Sequence, residues 1–244
     1  MTPKTLRQVA WLTDAYVKGP IRGVAVGFGG LGAGPMRDSP SEGEMDLGSH
    51  GILTVVPYYS PWGWMNRAER QFVAEVIDAT YSVLGLDRTI PLLSVGGSMG
   101  GLSALLFARY YSGKLAGCYA NCPVCDLAFH CDERPDVART VYCAFRGYAE
   151  DFGALLKEHS PVDQVPGLPK IPYLIIHGEA DKAVSKTAHS DRLVPSMQAR
   201  GLNVDYIGIP GMGHCGPIPT DVRARIMDFH LTTLGLKAAQ RRQS

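Results

Sequence analysis

Residues 96–100 read Gly-Gly-Ser-Met-Gly, a G-x-S-x-G pattern with a serine at its centre. An apolar run typical of a buried strand, 90–95, precedes the pattern, and helical apolar spacing follows it over 102–111. A sharp strand-to-helix turn needs glycine on both sides of the serine, because a Cβ there would collide with neighbouring backbone. Such a turn holds the Ser98 hydroxyl clear of the sheet, which makes it a candidate nucleophile. The pattern alone is equally compatible with a glycine-rich loop that carries a serine by chance.

A serine hydroxyl is a poor nucleophile at neutral pH and needs a general base, which in turn needs an acid to hold its tautomer. Two of the seven histidines are predicted to follow strands at the same sheet edge as Ser98, namely His177 and His214. We interpret His177 as a packing or loop-bracing residue, because it would point into the turn of its own strand. His214 lies in a glycine-rich loop and is the predicted base. Asp181 is the predicted acid, with Glu179 as the alternative.

An open, mostly parallel sheet would bring these residues together. Continuous apolar segments predict strands over 21–28, 51–57, 90–95, 115–120, 171–177 and 203–209. Apolar spacings of three and four predict helices over 67–84, 102–111, 186–199 and 222–234. Strands that alternate with helices indicate a three-layer α/β fold with helices on both faces of the sheet. Chemistry in such sheets gathers at the carboxyl ends of the strands, where the three candidate residues are predicted to lie.

The length and rhythm of the chain predict one domain over residues 1–244. Residues 121–168 lack a strand signal and are predicted to form a cap-like insertion after the fourth predicted strand. Residues 35–49 are polar, with two prolines and four acidic side chains, and are predicted to be a surface loop. Residues 1–18 indicate a weak helix or a leading strand.

The composition excludes several classes of function. The formal net charge is +1 and 19% of the residues are charged, so no field attracts nucleic acid or an anionic membrane. The first 20 residues mix charged with apolar residues and do not resemble a signal peptide. No apolar run approaches the roughly 18 residues of a membrane span. We therefore expect neither a nucleic-acid partner nor a membrane partner.

Six cysteines are expected to be free thiols in a cytoplasmic protein. Four of them crowd together, and Cys122-Pro-Val-Cys125 forms a C-x-x-C pattern. A structural zinc site needs a second pair at comparable spacing, which the neighbouring sequence does not supply. We therefore predict no metal and no cofactor.

The order Ser98, Asp181, His214 resembles that of the α/β-hydrolases, whose triad runs serine, acid, histidine. Residues 177–184 read His-Gly-Glu-Ala-Asp-Lys-Ala-Val. This segment resembles the H-G-x-x-D-x-x-V motif of the prolyl-oligopeptidase-like and small serine esterase branch, in which that aspartate is the triad acid. The resemblance covers about residues 21–235 and implies an α/β-hydrolase fold with a serine nucleophile.

The resemblance also implies an oxyanion hole made by two backbone N–H groups. One donor is Met99, the residue after the nucleophile, and the other is Phe28, in the glycine-rich loop after the first predicted strand. Val26 stands where many relatives have histidine, and Phe28 where prolyl-oligopeptidase-like enzymes often have tyrosine. A phenyl ring cannot donate a hydrogen bond to the oxyanion as a tyrosine hydroxyl does. The presence of Phe28 therefore favours esterase activity over peptidase activity.

An aromatic loop after the second predicted strand is expected to line the substrate pocket. Some of its side chains could instead be packed beneath the insertion. The predicted pocket residues are Gly29, Tyr58, Tyr59, Trp62 and Trp64.

These patterns predict a serine carboxylic-ester hydrolase that acts through an acyl-enzyme on a small to medium acyl ester. Its expected partner is a small-molecule ester. A peptidase or amidase on the same triad is the first alternative, and a catalytically silent binding module of the same fold is the second.

Overall fold

The computed structural model describes residues 1–32 and 37–236. Its centre is a seven-stranded sheet in the order β1-β3-β2-β4-β5-β6-β7. The strands are β1 (Ala10–Leu12), β2 (Gly23–Phe28), β3 (Ile52–Pro57), β4 (Leu92–Gly97), β5 (Gly117–Asn121), β6 (Tyr173–Gly178) and β7 (Val204–Ile209). Only β1 runs antiparallel to its neighbour. The predicted mostly parallel sheet is confirmed.

Helices cover both faces of this sheet, as predicted. The helices are α1 (Pro3–Val9), α2 (Glu42–Ser49), α3 (Arg67–Val83), α4 (Met99–Tyr110), α5 (Leu127–Glu133), α6 (Pro135–Phe145), α7 (Phe152–Glu158), α8 (Pro161–Gln164), α9 (Ser190–Ala199) and α10 (Thr220–Thr233). Side chains of α3, α4 and α9 join the large core cluster on the front face. Those of α2 and α10 form two smaller clusters on the back face.

The central strands are apolar because both of their faces are covered. All six residues of β2 and all six of β6 are buried. Alternate side chains of β2 enter different cores, since Val26 belongs to the front cluster and Ala25 to the back one. This burial explains why these strands appear in the sequence as unbroken apolar runs.

Helix α2 corrects the prediction of a surface loop for residues 42–49, while residues 35 and 36 of that predicted loop lie outside the described residues. Its N-terminus is a capping box, in which Ser41 Oγ accepts the N–H of Glu44 and Glu44 Oε2 accepts the N–H of Ser41. The S-x-x-E signal was present in the sequence. Two glycines and a neighbouring proline obscured it, because each disfavours a helix in isolation.

The residues between β5 and β6 form helices α5 to α8 and a short 3₁₀ turn, Val165–Gly167. Leu127, Val137 and Val141 are fully buried in the front core. The predicted insertion is thus a packed part of the front layer. Across residues 1–32 and 37–236, every helix is too short or too polar to cross a membrane.

Candidate active site

Ser98 lies at the point where β4 turns sharply into α4. Its backbone has φ 59° and ψ −126°, a strained conformation for a residue other than glycine. A Cβ on Gly96 would overlap the carbonyl oxygen of Gly100, and a Cβ on Gly100 would overlap that of Phe28. Both glycines are therefore needed to let the strand, the helix and the loop after β2 approach one another.

A continuous hydrogen-bonded chain joins Ser98, His214 and Asp181. The Ser98 hydroxyl lies 2.8 Å from His214 Nε2, and His214 Nδ1 lies 2.7 Å from Asp181 Oδ2. A carboxylate at Nδ1 keeps the proton there and leaves the Nε2 lone pair free to accept the serine proton. The structure thus brings together the three residues predicted from the sequence, in the arrangement that activates a serine.

Asp181 is held on its other side by the loop after β6. Its Oδ1 accepts the N–H groups of Ala183 and Val184, each at 2.9 Å. Nε2 of the buried His177 lies 3.4 Å from Asp181 Oδ2 and 3.0 Å from the Val184 carbonyl oxygen. Burial alone would raise the pKa of Asp181, but hydrogen bonds from His177, His214 and these N–H groups hold that pKa well below its usual range. The aspartate is thus ionised at neutral pH, and His177 braces its loop as predicted.

The contact with Asp181 also changes the pKa of His214. The hydrogen bond with Asp181 raises the pKa of His214 above its ordinary value, and partial burial opposes this effect. A base with a raised pKa takes a proton more readily from the serine hydroxyl.

Of the two predicted oxyanion donors, Met99 directly follows Ser98 and Phe28 ends strand β2, beside β4. The Met99 N–H is in the first turn of α4, where helical N–H groups lack an intrahelical partner. The Phe28 ring packs in the front core, 5.5 Å from the Phe107 ring. The ring therefore offers no donor, and donation by the N–H of Phe28, the last residue of β2, stays a prediction. The loop that follows it is close to the nucleophile, since a Cβ on Gly30 would lie 3.9 Å from Ser98 Cβ.

The structure does not place Trp64 in a substrate pocket, which corrects that prediction. Trp64 is fully buried, and its Nε1 donates to Thr140 Oγ1 at 3.0 Å. It anchors helix α6 to the loop after β3. Tyr59 is partly buried against the same core, with its hydroxyl 3.5 Å from the Gly29 carbonyl oxygen, and burial raises its pKa. Its contact with substrate stays a prediction.

The other aromatic side chains of this loop are more accessible. Trp62 is 53% exposed, and the Tyr58 hydroxyl accepts the N–H of Arg37 at 3.0 Å. Substrate contact by Tyr58, Trp62 and Gly29 stays a prediction.

Glu133 of α5 is a positioning residue that the sequence did not indicate. Its Oε1 accepts the N–H of Ser185, and its Oε2 accepts from His130 Nδ1 and His189 Nε2. These contacts tie the insertion to the loop that carries Asp181. No sequence signal marks such a contact, because the two segments meet only in the folded chain.

The cluster of His130, Glu133 and His189 has the residue types of a metal site. The His189 ring, however, is not in the tautomer that could bind a metal through Nε2. His189 Nδ1 accepts backbone N–H groups from Cys125 and Asp126, at 3.0 and 3.2 Å. The ring proton must therefore be on Nε2, where it donates to Glu133. A metal at Nε2 would require an imidazolate, so we interpret this cluster as a structural brace.

Two cysteines lie beside the triad. Cys122 follows β5, and Cys215 follows His214 in the chain. The sequence placed Cys122 in a C-x-x-C pattern, yet the structure pairs it with Cys215 and buries Cys125 elsewhere, with its thiol donating to the Pro123 carbonyl oxygen. The sequence did indicate where Cys122 lies, because it directly follows strand β5 at the carboxyl edge of the sheet, where the triad is also located.

Comparison with known proteins gives a family and a fold. A model of the prolyl oligopeptidase family matches residues 87–236, more than half of the chain. No curated protein sequence is similar enough to count as a relative.

Solved structures with the same fold include peptidases and an esterase. A puromycin hydrolase aligns with a TM-score of 0.76 at 19% identity, over 94% of this chain and 38% of that one. An acylaminoacyl peptidase from Pyrococcus horikoshii aligns with a TM-score of 0.71 at 18% identity, over 90% of this chain and 38% of the peptidase. Esterase B from Lactobacillus rhamnosis aligns with a TM-score of 0.70 at 17% identity, over 94% of this chain and 81% of the esterase. These alignments establish the α/β-hydrolase fold, and the chain spans well under half the length of the puromycin hydrolase and of the acylaminoacyl peptidase.

Proposed function

The chain belongs to the prolyl oligopeptidase family, and we propose that it is a serine hydrolase that cleaves carboxylic esters of small to medium acyl groups through an acyl-enzyme. The observation that carries this proposal is the chain of hydrogen bonds from Ser98 through His214 to Asp181, with lengths of 2.8 and 2.7 Å.

Acylation begins when Ser98 Oγ attacks the ester carbonyl carbon and His214 Nε2 takes the hydroxyl proton. Asp181 stabilises the imidazolium that forms. Negative charge develops on the carbonyl oxygen, where the N–H groups of Met99 and Phe28 are the proposed donors. Loss of one such donor typically costs about 3 kcal/mol of transition-state stabilisation.

Breakdown of the tetrahedral intermediate releases the alcohol, which takes the proton from His214. The acyl group is then esterified to Ser98. Water attacks this ester with His214 again as base, and the carboxylic acid leaves. The same groups serve both half-reactions, so no cofactor is needed.

The nature of Phe28 supports an ester rather than an amide as the substrate. Its ring is buried and cannot donate, so the oxyanion would depend on backbone N–H groups alone. An amide demands more from the site than an ester, because its amine is a poorer leaving group and must be protonated as it departs.

Hydrolysis of p-nitrophenyl butyrate by the wild-type protein and the Ser98→Ala variant tests the proposal. We expect turnover by the wild-type protein and a loss of at least about 10³-fold in the variant. Equal rates would contradict it. Ser103→Ala, which alters a buried serine on α4, is a matched control and should retain the activity.

Family membership supports peptide or amide hydrolysis as a second candidate, and one of the similar structures is described as an acylaminoacyl peptidase. The triad geometry is common to both reactions. An aminoacyl p-nitroanilide separates them, because a higher kcat/KM for the anilide than for the ester of the same acyl group would favour the peptidase.

A reducing, cytoplasmic location is proposed on the basis of the cysteines. All six are free thiols in the structure, which supports a compartment where disulfides do not form.

A further inference from the structure

The reaction at Ser98 has no need of the two thiols beside it. Cys122 and Cys215 both have a left-handed backbone, with φ of 44° and 47°. This conformation is uncommon outside glycine and costs about 1 kcal/mol or more at each residue. Two strained cysteines therefore lie at the carboxyl edge of the sheet, one of them adjacent to the proposed base.

Their side chains converge on that base. The sulfur atoms of Cys122 and Cys215 and a ring nitrogen of His214 all lie within 4.8 Å of one another. Tetrahedral zinc has Zn–S distances of about 2.3 Å and Zn–N distances of about 2.0 Å, which place its ligand atoms about 3.5 to 3.8 Å apart. Shifts of about 1 Å would bring the three atoms to that spacing.

The surroundings of Cys122 suit a thiolate. The Gly178 N–H donates to Cys122 Sγ at 3.4 Å, a contact that would stabilise negative charge on that sulfur. The Cys215 thiol donates to the Asn121 carbonyl oxygen at 3.7 Å, and its sulfur becomes available to a cation once that proton is lost. A thiolate is the form of cysteine that binds metals.

His214 also has the right tautomer, unlike His189. Its Nδ1 donates to Asp181, so Nε2 carries the lone pair, which faces the Ser98 hydroxyl at 2.8 Å and would bind the cation in its place. A histidine that binds zinc commonly donates its other ring N–H to a carboxylate. Cys215 is exposed and the His214 side chain is 27% exposed, so a cation has access from the substrate side.

We propose that Cys122, Cys215 and His214 bind a soft divalent cation, Zn²⁺, and that this binding inhibits the enzyme by withdrawing His214 from Ser98. On binding, the thiol protons of Cys122 and Cys215 go to solvent and both sulfurs coordinate as thiolates. Water occupies the fourth position. The inhibition depends on the proposed function of Ser98 and His214, whereas the binding does not.

Titration of the full chain with Cd²⁺ tests the binding. The protein carries Ser98→Ala, so the result is independent of hydrolysis, and the readout is the ultraviolet charge-transfer absorption of Cd²⁺–thiolate bonds. We expect one equivalent to bind, and Cys122→Ser or Cys215→Ser to weaken binding by at least about 10-fold and reduce the absorption. Cys143→Ser, which alters an exposed thiol on α6, is the matched control and should bind normally. Unchanged absorption in the Cys215→Ser variant, whose exposed position tolerates serine, would overturn the proposal.

Ester hydrolysis tests the inhibition. Each variant is compared with its own metal-free rate, and we expect Zn²⁺ to inhibit the wild-type protein reversibly on addition of a chelator. Cys215→Ser should need at least about 10-fold more Zn²⁺ for half-inhibition. An active wild-type protein that binds Cd²⁺ through thiolates and is insensitive to Zn²⁺ would overturn the inhibitory role. If the wild-type protein shows no hydrolysis, the proposed function fails while the Cd²⁺ titration still decides the binding.

Discussion

At the scale of single residues, Asp181 determines the properties of the site. It accepts from His214 and from the Ala183 and Val184 N–H groups, and His177 lies against it. A carboxylate with so many donors remains ionised, which keeps His214 in the tautomer that can accept a proton. The reactivity of Ser98 therefore depends on the contacts of Asp181, a residue that touches His214 and not Ser98 itself.

Asp181→Asn should lower kcat by about 10⁴-fold, because the wrong tautomer of His214 would then face Ser98. It should also shift the acid limb of the pH profile. His214 acts as a base only when neutral, so activity falls as pH drops through its pKa, which Asp181 raises above 6.5. Without Asp181 that pKa falls, and the midpoint of the limb should move to lower pH.

A kcat/KM profile of both proteins measures this shift. Glu179→Gln removes an exposed carboxylate two residues away and is the matched control. A midpoint that is unchanged in Asp181→Asn would show that another acid orients His214.

At the scale of elements, the active site depends on close backbone approaches. Gly100 is the second residue of α4, and a Cβ on it would overlap the Phe28 carbonyl oxygen. Helix α4 and the loop after β2 can therefore pack this closely only because Gly100 has no Cβ.

Gly100→Ala should reduce kcat by about 10²-fold or more, since the loop that carries the Phe28 N–H must move away. Gly43→Ala, on helix α2, would meet no other atom within 4 Å and serves as the control. Ester hydrolysis with circular dichroism as a check of folding measures the effect. Normal activity in a folded Gly100→Ala protein would show that this loop does not bind the oxyanion.

Glu69, on α3, makes the loop of residues 60–66 sensitive to pH. Burial raises its pKa from 4.5 to about 7, against weaker contacts from the backbone N–H groups of that loop. A raised pKa in the folded state means that its contribution to stability is complete below about pH 4.5 and is lost as pH rises through about 7.

Glu69→Gln should therefore gain stability relative to the wild-type protein as pH rises, by up to about 3 kcal/mol above pH 7. Urea unfolding at about pH 5 and about pH 8 measures this difference. Glu75→Gln, on the exposed side of the same helix, should show no such trend. A pH-independent difference for Glu69→Gln would mean that Glu69 is ionised throughout.

At the scale of the whole molecule, ionic contacts dock the insertion on the front layer. Glu158 of α7 binds Arg70 of α3 at 3.0 Å, with side chains 23% and 13% exposed. The Arg70 guanidinium also lies 3.8 Å from the Tyr110 ring centroid. This pair is the half-buried link between the insertion and the rest of the molecule.

Glu158→Gln should cost about 2 kcal/mol or more of unfolding free energy, because it leaves Arg70 largely buried without its counter-charge. Asp78→Asn breaks the pair of Asp78 with Arg88, whose side chains are 60% and 59% exposed, and should cost no more than about 1 kcal/mol. Denaturant midpoints compare the two variants, and equal losses would contradict the role of Glu158.

Much of the sheet and of the candidate site could be predicted from short stretches of the sequence. The apolar runs predicted six of the seven strands, and the rule that chemistry follows strand ends selected Ser98, Asp181 and His214 from one sequence. Residues 1–18 were predicted only as a weak helix or a leading strand, and the structure has both, α1 and β1. Their bounds could not be predicted because the three residues of β1 carry too little periodicity. Trp64 was assigned to a pocket because nothing local shows that Thr140 covers it. Contacts between distant segments, such as Cys122 with Cys215, depend on tertiary packing and have no local pattern.

The central claim is that Ser98 forms the acyl-enzyme. Peptide mass spectrometry after reaction with a fluorophosphonate locates the modified residue directly. We predict a single adduct, on Ser98, that is absent in Ser98→Ala and greatly slowed in His214→Ala. No adduct, or one on a residue other than Ser98, would contradict the account and favour a catalytically silent binding module.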